Sequence, residues 1–220
     1  SDVYKRQLMI KNLLLSTILA ILCFSQKSQA QSDYLINIGI KDSLNSAVLG
    51  ESREFYVDLP DSYVEGSDTK YPVVYILDGG VMLNAVHTVH SYYSGGFMPE
   101  MILIGISNAE NRTRDLTTSE LSERRGQEYH QENGGAEKFT KFIQSELIPF
   151  VEDKYPVTNY RTLIGHSYGG LFTVNILLKH TDAFENYLAI DPSMDWDEQK
   201  LLQESKEILS QNSFVGKSLF

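Results

Sequence analysis

Thr162-Leu163-Ile164-Gly165-His166-Ser167-Tyr168-Gly169-Gly170 is the stretch on which the fold turns. A run from Thr162 to Ile164 leads straight into Gly165-His166-Ser167-Tyr168-Gly169, a G-x-S-x-G match. Leu171, Val174, Ile176, Leu177 and Leu178 follow at roughly helical spacing. The pattern predicts strand, sharp turn and helix, the context of a nucleophile elbow, in which a serine hydroxyl is lifted clear of a sheet. Ser167 is then expected in a strained backbone conformation. A side chain at 165 or 169 is expected to collide with the neighbouring strand or helix. The same turn leaves the Tyr168 N–H facing a developing oxyanion.

Upstream, Tyr71-Pro72-Val73-Val74-Tyr75-Ile76-Leu77 is almost continuously apolar, as a central strand buried on both faces of a parallel sheet should be. It ends at Asp78-Gly79-Gly80, where a glycine pair lets backbone N–H groups approach a ligand. Gly79 and Gly80 are expected to supply the second oxyanion donor, and Asp78 could also cap the helix that follows. Met101 to Ile106 reads as a second buried strand. Tyr34 to Ile40 and Arg53 to Leu59 read as strands opening the domain, with a turn over Asn45 to Ser52. Strand and helix alternate from residue 71 onward, which predicts an α/β fold with a mainly parallel central sheet and helices on both faces.

Asn108 to Gly135 is a long polar connection, of the kind that is either a functional lid or a solvated excursion. Within it Asp115 is expected to pair with Arg112 or Arg114 and pin the loop. Gly134 to Lys154 is helical in pattern, with Phe139, Phe142, Ile143, Leu147 and Phe150 on one face and Pro149 set to kink or restart it. Beyond the elbow helix, which should end near His180, Tyr187 to Ile190 makes a short strand. It leads into Asp191-Pro192-Ser193-Met194-Asp195-Trp196-Asp197. Glu198 to Ser210 favours helix, and Lys217 to Phe220 reads as the opening of one more strand.

The 220 residues carry a formal charge of −10 and are 42% hydrophobic, enough for one domain with a substantial core. This charge, with no basic stripe, argues against nucleic acid as a partner. From Met9 the chain reads as a secretory signal peptide: Lys11, an apolar run from Leu13 to Phe24, then the small-x-small site Ser28-Gln29-Ala30. Residues 9–30 are therefore expected to be removed, leaving an exported, periplasmic or extracellular protein with no stable membrane association. Residues 1–8 read as an upstream remnant, and 31–220 as the domain. Cys23, the sole cysteine, lies in the segment to be removed, so no disulfide is expected. Residues 1–30 hold four basic residues (Lys5, Arg6, Lys11, Lys27) and one acid (Asp2), so cleavage shifts the charge from −10 to −13.

Four ordered segments carry a resemblance: Tyr71 to Gly79, Arg112-Thr113-Arg114-Asp115-Leu116-Thr117, Gly165 to Gly170, and Asp191 to Trp196. Together they resemble the esterase branch of the α/β-hydrolase superfamily, which includes enterochelin-esterase-like, S-formylglutathione-hydrolase-like and feruloyl-esterase-like proteins. The likeness covers roughly residues 34 to 220. It implies an α/β-hydrolase fold, no cofactor, and a serine–acid–histidine mechanism on a small-molecule ester or thioester. By position it implies Ser167 as nucleophile, Tyr168 with Gly79 and Gly80 as oxyanion donors, and Trp196 with Asp195 at the substrate cleft. The family often has a second aromatic beside the tryptophan and a serine opening the Pro-Ser segment. Asp195 and Asp191 stand there instead, so substrate preference does not carry over.

Triad order in this fold is serine, acid, histidine. The acid and the histidine are expected beyond Phe220, so the chain reads as a domain lacking its last strands. The histidines in hand suit other tasks: His166 packing beside the elbow, His180 at a helix C-terminus where it suits the dipole, and His87 and His90 on a helix surface. His130 also precedes the serine. Asp191, Asp195 and Asp197 fit no metal-ligand loop, and no metal is expected. An exported serine esterase is the leading expectation. An acyltransferase on the same fold and a binding module without catalysis are the alternatives.

Overall fold

Val73 and Tyr75 of the strand Tyr71–Ile76 join one apolar cluster, and Val74 and Ile76 join another on the opposite side; all four are buried. Ile102 and Ile104 against Leu103 divide in the same way, as does Leu163 against Ile164. Period-two alternation of apolar residues to both faces is the mark of a sheet covered on both sides. The computed structural model describes residues 38–108 and 110–220. The expected remnant 1–8 and signal segment 9–30 lie outside them.

The sheet contains β1 (Ile40–Ser46), β2 (Glu51–Asp58), β3 (Tyr71–Ile76) and β4 (Ile102–Ile106). A hairpin of β5 (Glu123–Arg124) and β6 (Gln127–Glu128) stands apart from it, and β7 (Val157–His166), β8 (Asn186–Ile190) and β9 (Ser218–Leu219) complete it. The strand order is β1-β2-β4-β3-β7-β8-β9. β1/β2 and β2/β4 pair antiparallel, and every later pair is parallel. α1 (Gly79–Tyr93) covers one face through Leu83, with Met82 and Val86 beside it. The other face is covered by α3 (Ala136–Phe142), α4 (Ile148–Lys154) and α5 (Tyr168–Lys179), through Phe139, Phe142, Val151, Phe172 and Ile176. Each such side chain contributes about 1.5–3 kcal/mol on burial. α6 (Lys200–Gln211) follows the 3₁₀ turn Trp196–Gln199, and Leu201 packs with Trp196, Leu171 and Leu178.

β1 lies further along the chain than the alternation of Tyr34 to Ile40 suggests, and of that stretch only residues 38–40 are described. Ile40–Ser46 is a polar edge strand that packs only Leu44 on the core, so apolar patterning does not mark it. Its pairing with β2 defines it, together with Glu146, whose carboxylate accepts from the Ala47 and Val48 N–H groups at 3.0 Å each. The helix over Gly134 to Lys154 is interrupted by a π-turn, Ile143–Leu147, directly before Pro149. The wider turn accommodates a residue that has no N–H to donate.

The long connection contains regular elements among its described residues. It holds α2 (Arg112–Leu116) and the β5–β6 hairpin, whose turn is Arg125-Gly126 with φ of 53° and 76°. α2 is pinned by a buried charge network and not by an exposed pair. Asp115, 1% exposed, accepts from Arg53 Nη2 at 2.5 Å, Arg114 Nε at 2.9 Å and Asn108 Nδ2 at 3.3 Å. Both arginines also bond Glu51, whose carboxyl Arg114 above all holds down at about 2, against an opposing cost of burial. Arg114, not Arg112, is thus the loop's structural partner for Asp115.

Candidate active site

β7 runs to His166, α5 starts at Tyr168, and Ser167 alone makes the corner at φ 58°, ψ −114°. A non-glycine residue there is strained by about 1–3 kcal/mol and persists only where its surroundings hold it. They do so through the main chain: the Ser167 N–H donates to Ile190 O at 3.0 Å, and the Ser193 N–H donates to Ser167 O at 3.0 Å. Gly165 is required by contact, because a Cβ there would lie 2.2 Å from Gly169 O and 2.7 Å from Thr173 Oγ1. Gly169 is not: its Cβ would meet Leu77 Cβ at 3.4 Å, an ordinary contact. The expected collision therefore holds at 165 and fails at 169, whose backbone is the obstacle rather than the victim.

The neighbouring strand β3 delivers Asp78 and the start of α1 to the same edge. Gly79 packs directly on the backbone of Gly105 in β4, where a Cβ would fall 2.2 Å from the Gly105 carbonyl carbon. The first N–H groups of a helix have no intrahelical acceptor and carry the positive end of its dipole. Gly79 and Gly80 begin α1 and Tyr168 begins α5, so two helix N-termini stand at one edge of adjacent strands. Asp78 does not cap α1 with its side chain. It sits left-handed at φ 54°, its N–H donates to Asn108 Oδ1 at 3.2 Å, and its carboxylate takes Arg112 Nε at 2.9 and 3.0 Å. A cavity of about 260 Å³ opens beside these groups, with Asp78, Gly80, Asn108, Arg112 and His166 in its wall.

The nucleophile candidate has a polar neighbour that the sequence does not advertise. Ser167 Oγ lies 3.1 Å from Ser193 Oγ, on the loop that follows β8. Only the order β7-β8 in the sheet brings these residues together, and no spacing in the chain encodes it. None of the five histidines hydrogen-bonds Ser167. His87 Nδ1 is 2.6 Å from Asp58, His180 Nε2 is 3.1 Å from Glu137, and His130 is 3.5 Å from Glu128. His90 is buried, contrary to its expected surface place, and its Nε2 accepts from the Met101 N–H at 3.0 Å. Burial pushes His90 below the usual imidazole range. His166 is exposed on the cavity wall rather than packed.

Trp196 is 1% exposed and so lines no cleft in this structure. Its ring packs edge-on against Tyr168 (5.4 Å) and Tyr129 (5.7 Å), and its Nε1–H donates to Ser119 O at 3.1 Å. The covering element is the β5–β6 hairpin. The Arg124 guanidinium lies 5.0 Å from the Trp196 ring and 5.4 Å from the Tyr168 ring, and it hydrogen-bonds the Tyr168 hydroxyl. Asp195 is half-exposed and takes Arg125 at 2.7 Å and Arg124 at 3.3 Å. Arg125 first, with Arg124 beside it, holds the Asp195 carboxyl below the usual carboxylate range. Among the described residues no group of three or more His, Cys, Asp or Glu side chains converges as a metal cluster would.

A family model described as "Putative esterase" matches residues 46–216. The chain belongs to this esterase family. Among its relatives, the ferri-bacillibactin esterase BesA of Bacillus subtilis is 34% identical over 175 residues, 73% of this chain and 61% of that protein. The siderophore triacetylfusarinine C esterase of Aspergillus fumigatus is 30% identical over 149 residues, 61% of this chain and 48% of that protein. The crystal structure of an IroE-like serine hydrolase from Shewanella oneidensis superimposes with a TM-score of 0.77 at 34% identity, covering 83% of this chain and 59% of that one. The mixed sheet with helices on both faces is the α/β-hydrolase architecture of this esterase family. The chain spans about three fifths or less of the length of these relatives.

Proposed function

We propose that the protein is an exported serine esterase that hydrolyses the ester bonds of siderophores, with Ser167 as its nucleophile. The observation that carries this is the elbow: a non-glycine residue at φ 58°, ψ −114° between a strand and a helix, beside a second helix N-terminus. In the proposed reaction Ser167 Oγ attacks the acyl carbonyl and gives its proton to a general base. The carbonyl oxygen, now negative, is received by the Tyr168 N–H and an N–H of the Gly79-Gly80 turn. The C–O bond to the alcohol then breaks, the alcohol takes that proton, and water releases the acid from Ser167. We place the base and its orienting acid outside residues 38–220, because each of His87, His130 and His180 is engaged with an acid and none of the five histidine rings hydrogen-bonds Ser167.

Support for a siderophore substrate comes from relatives whose names state that chemistry for two different siderophores, so the class is proposed and not one member. Export rests on the signal-like pattern of residues 9–30. Ser167→Ala in the protein at its natural length is expected to abolish hydrolysis of an ester-linked siderophore and labelling by a fluorophosphonate. Hydrolysis at the wild-type rate in that variant would remove the proposal. Added alcohols separate hydrolysis from acyl transfer, since a transferase yields the new ester in place of the free acid.

A further inference from the structure

We infer that Ser91 is a second reactive serine of this protein, activated by His87 and Asp58 and acylated by small, uncharged acyl donors of the aryl-ester class. The site is separate from the elbow and does not rest on the esterase reading of Ser167. Ser91 lies near the C-terminal end of α1 (Gly79–Tyr93), roughly 18 Å along the helix from the turn that faces Ser167, at about 1.5 Å per residue.

Three side chains from two elements form a continuous run of hydrogen bonds there. His87 Nδ1 lies 2.6 Å from Asp58 Oδ2, and His87 Nε2 lies 3.2 Å from Ser91 Oγ. A carboxylate only accepts, so Nδ1 carries the ring proton and Nε2 is left as the acceptor for the serine hydroxyl. In this order of contacts a histidine takes the proton of an attacking serine while an acid fixes its tautomer. Leu83, His87 and Ser91 follow one another at helical-turn spacing on one stripe of α1: Leu83 is buried, His87 half-buried and Ser91 exposed. The base is thus sheltered and the nucleophile open to solvent. Asp58 ends β2 opposite Leu103, and its side chain is 12% exposed. The neighbouring His90 is engaged with the Met101 N–H at 3.0 Å, which leaves His87 as the imidazole that serves Ser91.

In the proposed step Ser91 Oγ bonds to the acyl carbon, its proton passes to His87 Nε2, and the C–O bond to the leaving group breaks. The phenol departs with that proton and the acyl group stays on Ser91. A cavity of about 30 Å³ beside these residues, walled by Pro60, Asp61, Ser94 and Glu100, admits only a small acyl group. Asp61 and Glu100 make its rim acidic, which disfavours an anionic donor. The N–H groups of α1 around Ser91 are engaged inside the helix, and that of Ser94 donates to His90 O at 2.8 Å. Ser91 therefore works by general-base assistance, which contributes about 100- to 10,000-fold, without the oxyanion donors that add about 100- to 1,000-fold at an elbow. A phenolate leaves readily, but the alkyl ester formed on Ser91 does not, so acylation stops after one event. A fluorophosphonate, larger and dependent on donors to its phosphoryl oxygen, is left to Ser167.

The experiment treats the natural-length protein carrying Ser167→Ala with p-nitrophenyl acetate near neutral pH and follows acetyl mass on each serine-containing peptide with time. Ser91 is expected to gain one acetyl group at least about 100 times faster than Ser67 and Ser210, exposed serines whose hydroxyls donate to oxygen and not to an imidazole. His87→Gln in that background should bring Ser91 down to the rate of those two, and Asp58→Asn should slow it at least about tenfold, with Trp196 fluorescence reporting that each variant is folded. Acetylation of Ser91 no faster than that of Ser67 and Ser210, or unchanged in His87→Gln, would overturn the inference. If His87→Gln does not fold, Asp58→Asn decides the question, an unchanged rate again overturning it. Ser91→Ala alone should leave siderophore hydrolysis at the wild-type rate, and a loss there would refute the separateness of the two sites. Siderophore hydrolysis surviving in Ser167→Ala removes the esterase reading, whereas missing acetyl-Ser91 removes only this inference.

Discussion

Asp115→Asn changes one buried carboxylate and almost no volume, and its cost can be worked out from the contacts. The side chain is 1% exposed and serves three donors, of which Arg53 is the more deeply placed of the two arginines at 5% against 19% for Arg114. After substitution Arg53 keeps Glu51 at 2.9 Å and Ser107 O at 3.2 Å, and Arg114 keeps both of its bonds to Glu51. The guanidinium of Arg53 nevertheless loses its closest counter-charge in a dry site, where its Nε already lacks a partner. Breaking a buried pair from one side costs about 3–5 kcal/mol, and the remaining partners place this case near 3. At a urea m of about 2 kcal/mol/M the unfolding midpoint should drop by about 1.5 M. Trp196, the only tryptophan and fully buried, reports the transition by fluorescence. The shift should persist at high salt, because buried pairs are screened little. A midpoint change below about 0.5 M, or one that vanishes in about 0.5 M salt, would show that the network behaves as a surface pair and would refute this reasoning.

Gly165→Ala should prevent formation of the elbow, since its Cβ would sit 2.2 Å from Gly169 O, whereas Gly169→Ala meets nothing closer than 3.4 Å and should be neutral or slightly stabilising; circular dichroism and thermal melts distinguish the two. His90 predicts an acid-side loss of stability. Its native pKa is depressed, so its contribution is complete above the ordinary imidazole value of 6.5. It falls with decreasing pH, as the unfolded chain binds a proton that the native state resists, and His90→Gln should flatten the urea midpoint between about pH 7 and 5 relative to wild type, with Asp58, His87 and Glu100 unchanged nearby. Ser193→Ala removes one hydrogen bond to Ser167, worth about 1 kcal/mol, and should slow fluorophosphonate labelling of Ser167 by about three- to tenfold; an unchanged rate would show that the 3.1 Å contact has no part in reactivity.

The local pieces were legible because their causes are local. Continuous apolar runs at Tyr71–Ile76 and Ile102–Ile106, the glycine-flanked Ser167 and the helix-spaced leucines after it are short-range patterns, and they place two buried strands and an elbow without knowledge of what lies next to them. β1 escaped that logic because a polar edge strand owes its existence to the partner it pairs with. Trp196, aromatic and near the elbow, looks like a cleft residue until the β5–β6 hairpin folds over it and Arg124 seals it.

Relations across the chain were decided only by tertiary structure. Arg112 and Arg114 are indistinguishable as neighbours of Asp115 in sequence. The helical turn of α2 sends Arg114 inward to Glu51 and Asp115 and sends Arg112 outward to Asp78 and His166. Ser193 meets Ser167 across 26 residues because β8 lies beside β7, and Gly79 meets Gly105 because β4 lies beside β3. Sequence alone determined which backbone shapes were available at each point. Long-range pairing decided which of them came within bonding distance, because a hydrogen bond or an ion pair depends on separation in space and not on separation along the chain.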